Sequence, residues 1–162
     1  MKKIATILLL VWMSFIFYNS SVPGTISNSR SNEIVNIIIN GKDIIKGKNI
    51  QKSNMVSLNH KLEVFNFFLR KNAHAFEYLV LAVILAVLLN SFGLKGNNFI
   101  VYILFVCLLY AVLDEFHQAF VPGRTSLVSD VLIDFSGSIL GIILYFALVS
   151  VTKKLFNNKL TK

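Results

Sequence analysis

The chain has 162 residues, 55% of them hydrophobic, and a mean hydropathy of +0.66, which is more apolar sequence than a soluble core of this size can bury. Its formal net charge of +8 is not gathered into a basic stripe interleaved with stacking aromatics. Nucleic acid is therefore excluded as a partner, and the lipid bilayer with its anionic surface takes that place. Cys107 is the single cysteine, so an internal disulfide is impossible and a small packing residue is expected there.

Uncharged runs cover residues 4–29, 78–94, 96–113 and 135–152. At 1.5 Å rise per residue, roughly 20 residues cross a hydrocarbon core of ~30 Å. The expected fold is all-α: one membrane domain over residues 1–162, an integral bundle of four transmembrane helices at about 4–21, 73–94, 97–117 and 129–152.

The first span opens with Lys2 and Lys3, in the manner of a secretory signal. No small-x-small cleavage site follows Phe17, and Trp12, Phe15, Phe17 and Tyr18 read as an interfacial belt, so the span is expected to be retained. The loop after it divides in two. Residues 19–30, rich in Ser, Gly and Asn with Pro23, should be irregular. Residues 32–39 and 55–69 are amphipathic enough for short interfacial helices, with Phe65, Phe67, Phe68 and Leu69 resting on the bilayer. Residues 41–54 form a lysine-rich polar stretch.

The tails and the short turn at Lys95 are basic and free of acids, whereas the first loop mixes Glu33, Asp43 and Glu63 with its lysines. This favours a multi-pass cell-membrane protein with both termini cytoplasmic. Alternating span direction then gathers Lys71, His74 and Glu77, Asp114, Glu115 and His117, and Asp130 and Asp134 on the extracytoplasmic face.

In the segment opening the second span, Lys71, His74 and Tyr78 share one helical face, with Glu77 one turn above His74. In the third, Asp114, His117 and Gln118 lie together while Glu115 points aside. Pro122-Gly123 breaks the helix and leaves Arg124 in a tight re-entry loop. Asp130 and Asp134 stack at i,i+4 on the fourth helix, and Gly137 and Gly141 continue that stripe as a close-packing surface. Carboxylates in hydrocarbon need partners, and Lys71, Arg124 and the histidines are the available cations. A helix-locking ion-pair network is the plain alternative to a functional site. The D-E-x-H spacing is not that of a metal motif, so neither metal nor cofactor is expected. No G-x-S-x-G elbow accompanies the serines.

These segments resemble the VanZ-like family, membrane proteins associated with teicoplanin and lipoglycopeptide resistance. The likeness rests on Arg70-Lys71-x-x-His74-x-x-Glu77-Tyr78, then Asp114-Glu115-x-x-Gln118-x-Phe120, Pro122-Gly123-Arg124, Asp130, Asp134, Gly137 and Gly141. Phe17-Tyr18-x-Ser20-Ser21-x-Pro23 in the first span is also similar, although Val22 stands where a glutamine is expected before the proline. The resemblance implies a role in resistance or response to teicoplanin-type glycopeptides or in related envelope chemistry, but no settled mechanism; a lipid-linked or lipidated ligand is expected from the one-sided polar cluster at headgroup depth.

The expected binding residues are Arg70, Lys71, His74, Glu77, Tyr78, Asp114, Glu115, His117, Gln118, Arg124, Asp130 and Asp134. Binding is favoured over catalysis. The enzymatic alternative, acting on a lipid or peptidoglycan precursor, would draw its acid and base from His74, Asp114, His117 and Asp130. A transporter is disfavoured, because the other halves of the spans are almost free of polar side chains. Oligomeric state stays open.

Overall fold

The computed structural model describes residues 2–27, 29, 33 and 55–160. Its helices are α1 (Lys2–Ser21), α2 (Met55–Ser91), α3 (Asn97–Gln118) and α4 (Val128–Leu160). No strand occurs among the described residues. Each helix contains a stretch long and apolar enough to cross a membrane, over Lys2–Ser21, Phe67–Ser91, Asn97–Gln118 and Val128–Leu155. Charged residues are rare in these stretches, and backbone polar groups are satisfied within each helix, as a bilayer requires. Large apolar side chains such as Ile4, Leu8, Val101, Phe105 and Ile143 point outward, and the chain is a multi-pass membrane protein with lipid as its solvent.

The helices alternate in direction. Lys2 lies 4.8 Å from the ring of Phe92, which puts the start of α1 beside the α2–α3 turn. That turn is built by glycine. Gly93 takes φ 86°, and the N–H of Leu94 reaches back to the carbonyl of Leu89 at 3.2 Å, closing the α2 C-terminus in a Schellman arrangement. Helix α2 thus ends at Ser91 rather than at 94 as the apolar run suggests.

The helix expected over residues 55–69 is helical, but it is not separate. It continues unbroken into the second span, making one helix of 37 residues and about 55 Å. Without glycine or proline between residues 55 and 91, nothing interrupts the hydrogen-bond ladder. Helix α4 likewise runs from Val128 to Leu160, past the expected limit at 152. Apart from Glu33, the helix expected over 32–39 lies outside the described residues, as does the polar stretch 41–54.

The core is centred on Tyr78, Leu81, Leu85, Ile103, Cys107 and Ile142. Helices α2 and α4 approach most closely. A Cβ added at Gly137 would collide with the carbonyl of Ala75, and one at Gly141 would fall 2.9 Å from Cβ of Ala82. The two glycines therefore form the contact surface expected of them. Helix α1 buries little apolar surface, chiefly Ala5 and Ile16. Polar ties hold it instead: Tyr110 Oη–H donates to the Met13 carbonyl at 2.6 Å, and Trp12 Nε1–H donates to the Glu77 carbonyl at 2.9 Å.

Candidate functional site

At one end of the bundle, α1 and α3 finish while the spans of α2 and α4 begin. Every charged residue expected to bind a ligand lies there. The connection from α3 to α4 is a tight turn over Val121–Arg124, closed by Arg124 N–H to Val121 O at 3.1 Å, with Gly123 at φ 72° following Pro122. Proline at the second position and a positive-φ glycine at the third are what a type II turn requires. The turn is pinned to the chain leaving α1 by Gly24 N–H to Pro122 O at 3.0 Å. Gly24 has no room for a Cβ against Gly123.

Arg124 sits in this turn and reaches back across the end of α1. Its Nε–H donates to Val22 O at 3.1 Å and its Nη2–H to Asn19 O at 3.0 Å. A cation at a helix C-terminus meets orphan carbonyls and the negative end of the helix dipole. Burial, and secondarily the charge of Arg70, lower its pKa from the ordinary value, yet guanidinium stays cationic.

Asp114 is buried and its two oxygens differ. Oδ2 accepts from Ser20 Oγ–H at 2.7 Å and from Gln118 Nε2–H at 3.0 Å, while Gln118 also lies 3.3 Å from Ser20 Oγ. Oδ1 has no hydrogen-bond partner among the described residues. Glu77 is divided in the same way: Oε1 accepts from Asn19 Nδ2–H at 2.7 Å, and Oε2 faces His74 Nδ1 at 3.7 Å, beyond a hydrogen bond. Tyr78 is fully buried, with its hydroxyl unpartnered among the described residues.

Lys71 pairs with Asp130, which stands in the first turn of α4, where an acid is favoured by the helix dipole. Four residues further on, Asp134 is only 1% exposed, and neither of its oxygens has a partner among the described residues. His74, Asp114 and Asp134, one from each of three helices, bring ligand atoms within 4.8 Å of one another. Among the described residues, this set of one imidazole and two carboxylates could hold a metal ion.

One residue is placed differently from the sequence expectation. Glu115 does not point aside. It is buried, and its Oε2 accepts the N–H of Leu127 at 3.0 Å, because the turn folds the start of α4 back over that face of α3. His117 is half-buried against Phe17 with a ring separation of 4.4 Å. Ser21 Oγ lies 2.7 Å from Phe17 O and 3.0 Å from His117 Nε2, which ties the imidazole to the end of α1.

Sequence reasoning missed Asn19 as a partner of Glu77 and set Ser20 aside as an unsupported nucleophile. Its real position is that of a donor fixing Asp114. The signal was present: polar residues closing an otherwise apolar span need partners inside the bundle.

A cavity of about 600 Å³ lies beside this cluster, with Leu69 and Phe76 on its apolar wall and Arg70, His74, Glu77 and Arg124 on its polar side. A narrower cleft of about 140 Å³ lies between Lys71, His74, Gln118, Arg124 and Asp130. No curated protein and no solved structure matches the chain. The family model described as VanZ/LLP1 matches residues 5–150, which takes in most of each of the four spans and the whole polar end. On that match, and on a bundle that joins the motifs of the first, second, third and fourth spans into one cluster, this chain belongs to the VanZ/LLP1 family.

Proposed function

We propose that this protein contributes to resistance or response to teicoplanin-type glycopeptides, using the polar end of its bundle as an extracytoplasmic pocket for a lipidated or lipid-linked ligand. The observation that carries this reading is the mixed wall of the 600 Å³ cavity. Its volume is that of a small-molecule site. Leu69 and Phe76 offer a surface for an acyl chain, and Arg70, His74, Glu77 and Arg124 offer charge to a polar head. Arg124 contributes chiefly its remaining N–H groups and its field, since two donors already serve α1. The placement outside the cytoplasm follows from cytoplasmic termini, supported by the acid-free basic turn at Lys95 and the lysines at 153 and 154.

The experiment compares labelled teicoplanin binding and teicoplanin susceptibility in cells with the protein, without it, and with Leu69→Trp to fill the cavity. Greater susceptibility and weaker binding in the last two strains support the reading. Equal values in all three would remove it.

A second reading is favoured by the convergence of His74, Asp114 and Asp134. In it the protein is a membrane enzyme altering a lipid or peptidoglycan precursor by acid–base chemistry. Purified protein incubated with envelope extract should then yield a changed lipid mass that Asp114→Asn abolishes. Identical lipid spectra with and without protein would count against it.

A further inference from the structure

We propose that His74, Asp114 and Asp134 bind a divalent transition-metal ion, of the Zn²⁺ or Mn²⁺ type, between α2, α3 and α4. The ligand atoms lie within 4.8 Å of one another. Donors bonded tetrahedrally to one such ion at ~2.0–2.2 Å stand ~3.3–3.6 Å apart, so side-chain rotations that move the ligand atoms by about an ångström close the site. A mixed set of imidazole and carboxylate suits these ions better than Ca²⁺ or Mg²⁺, which prefer all-oxygen shells.

An independent observation points the same way. Asp134 is 1% exposed with both oxygens unpartnered, and Asp114 is 3% exposed with Oδ1 unpartnered. His74 Nδ1 is buried without a hydrogen bond as well. The nearby cations serve elsewhere: Lys71 pairs with Asp130, and Arg124 donates to the carbonyls of Asn19 and Val22. A single proton shared by the two aspartates would bridge one oxygen of each and leave the second Asp134 oxygen bare. A doubly charged ion balances both carboxylates at once.

The surroundings resemble a supported metal site. Ser20 and Gln118 both donate to Asp114 Oδ2, which fixes the carboxylate with Oδ1 turned away from them. Such outer-shell partners hold ligands in position and tune the ion. Close packing of Gly137 against Ala75 sets the distance between Asp134 and His74. The site escapes sequence reading because each helix supplies one ligand, so no short spacing marks it. His74 also lines the 600 Å³ cavity, so an open coordination position would face the pocket.

The test uses the full chain purified in detergent, with no antibiotic present, so its outcome is read separately from the glycopeptide reading. Chelator-stripped protein is titrated with Zn²⁺ alone and Mn²⁺ alone while metal content and the thermal midpoint are measured. One ion per chain, with a raised midpoint reversed by EDTA, is expected for at least one of the two. Asp134→Asn and His74→Gln should each weaken binding at least ~10-fold. A readout that needs no variant is X-ray absorption of the bound ion, which should show one imidazole among oxygen ligands and no sulfur. Absence of stoichiometric binding by both ions, or a bound ion without imidazole, would overturn the proposal.

Discussion

Arg124 closes the end of α1 by donating from Nη2 to the carbonyl of Asn19 at 3.0 Å. Its Nε does the same for Val22 at 3.1 Å. The turn between α3 and α4 therefore acts as a clamp on a helix that buries little apolar surface of its own. Lysine carries the charge but not the planar fork. Arg124→Lys should cost about 1–3 kcal/mol of stability and free the first span. Thermal unfolding in detergent measures the first effect. Faster labelling of a cysteine introduced at Ser20, in a Cys107→Ala background, measures the second. Unchanged labelling would mean that α1 is held by something else.

The contact between α2 and α4 leads to a steric prediction. A methyl group at position 137 meets the Ala75 carbonyl, a backbone atom that cannot swing aside. Gly137→Ala should destabilise the bundle by about 1–3 kcal/mol, despite alanine's better helix propensity. Gly93→Ala, which meets no neighbouring atom but sits at φ 86°, should act through backbone strain alone. Comparing the two by thermal midpoint, with Gly137→Ala also disturbing whatever the polar end binds, separates packing from turn geometry.

Lys71 and Asp130 form a partly exposed cross-link between α2 and α4, with side chains 14% and 22% exposed. Reversal of either charge alone places like charges together at partial burial. The exchanged pair Lys71→Asp with Asp130→Lys should recover part of the loss, with a coupling of about 1 kcal/mol in a double-mutant cycle. Strict additivity would show that the pair contributes nothing measurable.

Ser20, Gln118 and Asp114 act as one unit, because both donors meet the same oxygen. Removing one donor leaves the other in place; removing both strands a buried acceptor. Ser20→Ala and Gln118→Leu should therefore be more costly together than the sum of the single changes, by about 1 kcal/mol. In an Asp114→Leu background, where no carboxylate needs donors, the same two substitutions should be close to neutral. Equilibrium unfolding of the five variants checks both statements.

Much of this protein is a property of its sequence alone. Four apolar runs set four spans, because hydropathy and chain length are local quantities and the bilayer imposes its thickness on each run separately. Alternation of span direction was enough to bring His74, Asp114, Arg124 and Asp134 to a common end. The i,i+4 and i,i+3 spacings of Asp130, Asp134, Gly137 and Gly141 marked the packing face before any contact was seen. The choice of partner at that end belongs to the tertiary structure. Lys71 meets Asp130 and not Asp134, Glu115 folds inward against Leu127, and Asn19 and Ser20 from α1 become the partners of Glu77 and Asp114. Such pairings depend on how each helix is rotated and how near it stands to its neighbours, to within a hydrogen-bond length. Helical periodicity places a residue on a face of its own helix, but it carries no information about the helix opposite.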